Sequence, residues 1–304
     1  MRSRYVLKAG QWCFRIALRV RLLPFAALVA GCSSNLLSVS APTPTPAPTP
    51  LPIPTLFPTV LSPAAVPPNR SAPSDTGWLH DSSGIELRRL QLPASPDHAA
   101  ASLTIVRMDP AAVRLRVGYA PGKPQSLDAW IRATPALLVV NGGFFTPEYR
   151  ATALVVSDGV AYGTSYDGFG GMLAVAPDGS VSLRSLREQP YTAGEPLQQA
   201  IQSFPMLVQP GGVPASIDED GDRARRTVVA QDKDGRLLFV VCSTFSFSLH
   251  ELAAWLASSD LQIDRALNLD GGRSTAMSLQ AGALQERIEP FDVLPMVLFV
   301  EPRS

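Results

Sequence analysis

Two short stretches of this chain carry the residue types that bond-making chemistry needs. The first is Asn268-Leu269-Asp270-Gly271-Gly272-Arg273-Ser274-Thr275, entered through apolar Ala266 and Leu267 and left through Ala276, Met277 and Leu279. Paired glycines let a backbone come close to a ligand, and N–H groups followed by hydroxyls match phosphate or sugar oxygens. A carboxylate set among them could act on such a ligand. Taken alone, the stretch reads as strand, tight turn, strand, and it fits an ordinary Asp-Gly-Gly hairpin equally well. The second stretch, Leu137-Leu138-Val139-Val140-Asn141-Gly142-Gly143-Phe144-Phe145, repeats the design. An apolar strand again delivers a polar side chain onto a Gly-Gly turn, and the repetition shifts the balance toward a functional reading.

In this order the two motifs resemble those of the phosphodiester glycosidase family, in which an N-G-G-F-F strand end precedes an N-L-D-G-G-x-S-T turn. Between them, Arg226-Thr227-Val228-Val229-Ala230 stands for the family's R-T-x-x-G, and Leu249-His250-Glu251-Leu252-Ala253 for its helix opening T-L-x-E-L-A; the likeness spans roughly residues 100 to 300. Three positions depart from the pattern: Phe204 stands in Ser203-Phe204-Pro205 where the family has S-G-P, Ala230 replaces the glycine after R-T, and Arg273 occupies a place where a small residue is usual.

The resemblance implies that both turns converge on one pocket, which hydrolyses a sugar-1-phosphodiester at its glycosidic bond. Such cleavage passes through an oxocarbenium-like state that a carboxylate supports and a cation assists by steadying the departing phosphate. Asp270 takes the carboxylate role and Arg226 the phosphate role. Asn141 holds sugar hydroxyls or orients the carboxylate, which makes these three the expected catalytic set. Gly142, Gly143, Phe144, Ser203, Thr227, Gly271, Gly272, Ser274 and Thr275 are the expected substrate-binding lining. A reading from another class is a non-catalytic lipoprotein that holds cell-envelope glycopolymers in the same pocket, and Phe204 in place of a ligand-admitting glycine is what favours it. No cofactor is implied, although the resemblance leaves room for a structural calcium.

Other chemistries have weaker signals. His80, His98 and His250 are isolated, with no zinc-binding spacing, and neither a G-x-S-x-G elbow nor a phosphate-binding glycine loop of the Walker type is present. Asp218, Asp220 and Asp222 alternate as calcium ligands do, yet position 229 is Val where an EF-hand needs a bidentate Glu. They read as a solvated acidic loop. Cys242, inside the apolar run from Leu237 to Val241, reads as a buried structural thiol.

The N-terminus is an address. Arg2, Arg4, Lys8, Arg15, Arg19 and Arg21 form a basic region without acids, Leu22 to Ala30 is a short apolar run, and Val29-Ala30-Gly31-Cys32 resembles a bacterial lipobox. The expectation is a signal peptide over 1–31, acylation of Cys32, and an exported, membrane-anchored lipoprotein of a bacterial cell envelope. A lipid-anchored tether over 32–77 follows, with eleven prolines between positions 42 and 68. Proline fixes φ and removes donors, so this tract extends at about 3.1 Å per residue without a core of its own.

Removing the leader changes the charge. The chain carries 26 basic and 26 acidic residues; six of the basic ones precede Cys32, which leaves 20 against 26. A net charge near −6 argues against nucleic acid as a partner, because binding it takes a basic face. The expected partners are a sugar-phosphate or glycopolymer substrate and, through the lipid on Cys32, the membrane.

A domain over 78–304 must position the two turns. Its opening alternates through Leu103, Ile105 and Val106, then Val113, Leu115 and Val117, giving two strands about Asp109-Pro110. Ser126 caps a short helix to Ala133, and Ser248 with Glu251 forms a capping box on a longer one. Asp158-Gly159, Asp178-Gly179 and Asp234-Gly235 mark hairpins, and Leu294 to Val300 is apolar enough for a central strand. The expected fold is α+β: a mixed, largely antiparallel sheet system with a few packed helices and the site at strand ends.

Overall fold

Apolar alternation drives most of this chain into strands, and in the computed structural model, which describes residues 73–303, those strands form three sheets. The leader, Cys32 and the proline tract lie outside the described residues. The first sheet has eight strands in the spatial order Leu79–His80, Ile85–Leu92, Ala101–Met108, Leu237–Phe247, Ala224–Asp232, Ile263–Asn268, Met206–Gln209 and Val213–Pro214. The second has five: Val160–Tyr162, Val155–Ser157, Gln199–Ser203, Gly171–Val175 and Val181–Ser185. The third also has five: Leu284–Ile288, Met277–Ala281, Leu138–Asn141, Met296–Pro302 and Val113–Tyr119.

Every pairing between these strands is antiparallel. The expected mixed sheet system is therefore an antiparallel one, and the two α-helices among the described residues are short, Leu127–Arg132 and Leu249–Ser258. Both begin as the sequence indicates. The Ser126 hydroxyl accepts the Ala129 N–H, and Ser248 with Glu251 completes a reciprocal capping box.

The sheets face one another across the main core. Ile85, Val106, Val229, Phe239 and Leu267 come to it from the first sheet, Val155, Leu173 and Ile201 from the second, and Leu138, Val140, Met277 and Leu298 from the third. The longer helix covers the far side of the eight-stranded sheet, with Leu252 and Leu256 on Val228, Val240 and Cys242. Cys242 is buried there as a free thiol, its Sγ donating to the Thr244 carbonyl at 3.4 Å. The shorter helix lays Trp130 against Phe299 on the third sheet, with ring centroids 5.9 Å apart.

Two connections differ from their local appearance. The strands either side of Asp109-Pro110 look like a hairpin, yet Ala101–Met108 belongs to the first sheet and Val113–Tyr119 to the third. The Asp270-Gly271-Gly272 turn likewise leads from Ile263–Asn268 in the first sheet to Met277–Ala281 in the third. A crossing, not a hairpin, sits at the centre of the molecule. At the start, the fold takes in residues expected in the tether: Asp75 pairs with Arg88 at 2.7 Å, and the Gln91 N–H donates to the Ser74 carbonyl at 2.6 Å.

Candidate active site

The crossing turn meets the end of strand Leu138–Asn141 because Met277–Ala281 is that strand's neighbour, with Met277 opposite Val140. The two Gly-Gly stretches are thereby joined backbone to backbone: the Asp270 N–H donates to the Gly142 carbonyl at 3.0 Å. Asn141 fastens the junction. Its side chain is buried, its Nδ2 donates to the Asp270 carbonyl at 2.7 Å, and its Oδ1 accepts from Thr227 Oγ1 at 2.8 Å and from the Ala276 N–H at 3.0 Å. With donor and acceptor both engaged inside the protein, Asn141 has its bonding capacity filled. Of its two expected roles, holding sugar hydroxyls and orienting the carboxylate residue, the geometry supports the second. Thr227 is likewise turned to Asn141 and not to open space.

The Asp270 carboxyl has no basic partner. Burial raises its pKa from the ordinary 3.8 to about 6, while the Ser274 hydroxyl and the Gly271 N–H, 2.9 Å from Oδ1, pull it partway back. A carboxylate made expensive to ionise and left without a counter-charge is a group prepared to meet positive charge. Within the same motif, Asn268 Oδ1 and Thr275 Oγ1 are buried without a hydrogen-bond partner in the protein, as is Ser203 Oγ at the strand end next to Phe204. Buried polar groups are paired in the great majority of cases, so unpaired ones gathered at one turn mark a place where a ligand can supply the missing partners. Asn268 was not among the expected lining residues, although it opens the turn motif. Its Nδ2 donates to the Phe204 carbonyl at 2.9 Å, which ties strand end Ser203 to the same turn.

The glycines serve different ends. A Cβ on Gly142 would lie 2.5 Å from Met296 Cγ, one on Gly143 3.0 Å from the Gln202 carbonyl, and one on Gly271 2.7 Å from the Arg225 carbonyl. Close packing of the three sheets excludes a side chain at each. The Gly142 N–H is used by the Met296 carbonyl at 3.1 Å, so it does not line a pocket as expected. Gly272 differs: its φ is +57° and a Cβ there would meet open space, so the turn needs glycine for its conformation.

Arg226 departs from its expected role. Its main chain passes beside Gly271, but the guanidinium runs to the carbonyls of Phe247, at 3.1 Å, and Asp222. Burial lowers its pKa, and no hydrogen bond or ion pair joins it to Asp270. In this arrangement it braces the 219–222 loop against the sheet. Arg225 goes the other way, to the Glu289 carbonyl at 2.9 Å and across the Phe291 ring at 4.4 Å.

Phe144 and Phe204 pack ring to ring at 4.8 Å beside the junction. Phe204 is not among the residues with positive φ, so a side chain is accepted there without strain, and its ring is 39% exposed. The acidic loop behaves as expected of a turn: the Asp222 N–H donates to Asp220 Oδ1 at 2.9 Å and the Gly221 N–H to Glu219. Among the described residues, no three His, Cys, Asp or Glu side chains are gathered as metal ligands. Nor is any helix there long and apolar enough to cross a membrane.

A model of the phosphodiester glycosidase family matches residues 134–293, just over half of the chain and inclusive of both Gly-Gly turns. Among solved structures, the catalytic domain of zebrafish N-acetylglucosamine-1-phosphodiester alpha-N-acetylglucosaminidase, auto-inhibited by its pro-peptide, superposes with a TM-score of 0.56 at 18% identity, covering 77% of this chain and 85% of that one. A hypothetical protein from Synechocystis gives 0.54 at 15% identity, over 77% of this chain and 64% of that one. At these identities the superpositions establish the fold. No curated protein sequence matches the chain.

Proposed function

The chain belongs to the phosphodiester glycosidase family, and from that premise we propose that it hydrolyses the glycosidic bond of a sugar-1-phosphodiester in cell-envelope or exopolysaccharide material. The observation that carries the reading is the Asp270 carboxyl, desolvated and without a counter-charge at the junction of the two turns, in a motif that also holds unpartnered Asn268 and Thr275 atoms.

In this reaction the bond from the anomeric carbon to the phosphate oxygen breaks. The electron pair leaves with the phosphate, which becomes a phosphomonoester on the other partner, and water supplies the hydroxyl of the freed sugar. Positive charge grows at the anomeric carbon, and the Asp270 carboxylate stabilises it or traps it covalently before water enters. Phosphate is a good leaving group, so no second carboxylic acid is needed to protonate it. Asn141 is a positioning residue that holds the Asp270 backbone. The hydroxyls of Ser203 and Thr275 bind oxygens of the sugar or the phosphate, where their missing partners would be found, while the Ser274 hydroxyl stays on the Asp270 carboxylate. The direct test is turnover: the purified chain should release free sugar from a sugar-1-phosphodiester. Tight binding with no release on any member of a panel would favour a binding protein instead.

Arg226 acts in this scheme as a brace. Lysine keeps the charge but loses the planar fork that reaches two carbonyls at once, so Arg226→Lys should lower stability by about 1–2 kcal/mol. The accompanying loss in kcat/KM should stay below about tenfold, a modest indirect effect. A hundredfold loss at unchanged melting temperature would instead put the guanidinium on the substrate phosphate.

The location follows from the leader. We propose that Cys32 carries lipid and that the proline tract holds the domain away from the membrane. Cys32→Ala should move the protein from the detergent-extracted fraction into the soluble exported fraction; unchanged partitioning would end the lipoprotein reading.

A further inference from the structure

A cavity of about 390 Å³ opens on the outer side of Phe204, between the loops of the second sheet and the edge of the first. That is within the size range of small-ligand sites. Phe204 and Phe169 form one wall, with ring centroids 6.0 Å apart and planes at 75°, and both rings are well exposed, at 39% and 45%. Tyr166 stacks under Phe169 at 4.6 Å, and its hydroxyl is 2.8 Å from Thr152 Oγ1, so the wall is braced from behind. The remaining lining includes Arg187, Glu188, Gln209 and Ser216. Arg187 and Glu188 are exposed, and neither forms an ion pair among the described residues, so both heads are available.

This cavity neighbours the candidate site through Phe204. The Phe204 carbonyl is held by Asn268, two residues from Asp270, and the Phe204 ring packs on Phe144, which follows the Asn141-Gly142-Gly143 turn.

We propose that the cavity is a subsite for a further sugar ring of the substrate's glycan, with the edge-to-face pair Phe204 and Phe169 as its aromatic wall, one ring offering its face for stacking. The inference rests on the glycosidase reading of the neighbouring turn and names the class of substrate extension. The chemistry selects a sugar. One face of a sugar ring is lined by C–H groups whose partial positive charge suits the negative face of an aromatic ring. Its rim of hydroxyls needs donors and acceptors, which a guanidinium, a carboxylate, an amide and a hydroxyl provide. A lipid tail would also cover the rings but would leave those four polar groups desolvated and unpaired, at a cost for each. A phosphate would meet Arg187 but gain nothing from two phenyl rings. Phe204 is therefore a specificity-determining residue of this chain, at a position where the family pattern has glycine and could offer no such platform.

The test measures how affinity grows with glycan length. The full chain in detergent micelles is titrated calorimetrically with oligosaccharides of N-acetylglucosamine, glucose and mannose, from one to four units each. Wild type should bind the longer members of at least one series about tenfold more tightly than the monosaccharide, as expected when a second ring gains a platform. Phe204→Gly and Phe169→Ala should each bring that ratio close to one at a temperature where circular dichroism shows the variant folded. No length dependence in any series, or an unchanged ratio in both variants, would overturn the inference. Preference for a long alkyl glycoside over a longer glycan would assign the wall to a lipid and overturn it equally. Length-dependent binding without turnover would uphold the subsite and remove the glycosidase reading on its own.

Discussion

Asp270→Asn should lower kcat on a sugar-1-phosphodiester by about a thousandfold, the scale of a lost charged catalytic group, and at the same time make the folded protein more stable at pH 8. The two effects have one cause. Asparagine keeps the shape and can still accept the Gly271 N–H, but it carries no charge to oppose the one growing at the anomeric carbon. It also carries no charge to be desolvated. The carboxyl titrates at about 6 in the native protein against an ordinary 3.8, so between those values the folded state holds a proton that the unfolded chain has released. The contribution to stability is therefore fully present below about pH 4 and is lost as pH rises through about 6. Converted at 1.36 kcal/mol per unit and reduced for partial exposure, the loss is about 2 kcal/mol. The asparagine variant should melt about 5 °C above wild type at pH 8, and the gap should close at pH 4. In the wild type, kcat/KM should rise with pH along a limb of apparent pKa about 6, because the ionised form of the free enzyme is the active one. Near-normal turnover in the variant would leave Asp270 as a turn residue, since asparagine suits turns nearly as well as aspartate.

The second large effect belongs to Asn141→Ala. This substitution leaves the Asp270 carbonyl, the Thr227 hydroxyl and the Ala276 N–H without partners in a buried place. At about 1–3 kcal/mol for each stranded group, with some recovery by relaxation, the variant should lose about 3–5 kcal/mol and melt about 10 °C lower. That is a large share of the usual 5–15 kcal/mol of a folded protein, roughly speaking. Turnover should fall about a hundredfold at temperatures where the variant is still folded, because the backbone carrying the carboxylate is no longer held. A purely structural role would not predict what the double variant does. If Asn141 acts through Asp270, then Asn141→Ala combined with Asp270→Asn should turn over within about threefold of Asp270→Asn alone. Multiplied losses would mean that the two act separately.

Much of this architecture could be read from residues one at a time. Helix starts were legible because the Ser126 cap and the Ser248-Glu251 box are contacts between residues three apart. Hairpins at Asp158-Gly159 and Asp234-Gly235 were legible because the turn and both strands are contiguous. The Asp270-Gly271-Gly272 turn was misleading for the same reason. Locally it has every sign of a hairpin, and only the partners of its two strands, far away in sequence, make it a crossing between sheets. The fate of Arg226 was hidden too. Residue type announces a cation but not that the Phe247 and Asp222 carbonyls will take its donors.

The sequence by itself determined the apolar alternation of the strands, where the helices start, and which motifs mark the chain as a member of its family. Those properties depend on side-chain type and on neighbours within a few positions, so a linear pattern carries them. Tertiary structure alone decided that the Asn141 side chain is taken up by Asp270, Thr227 and Ala276, that Gly142 packs against Met296, and that the Asp270 carboxyl is left without a counter-charge. Each of these depends on groups that approach from far along the chain. Burial and hydrogen-bond pairing are properties of the assembled space around an atom, and no local spacing encodes them.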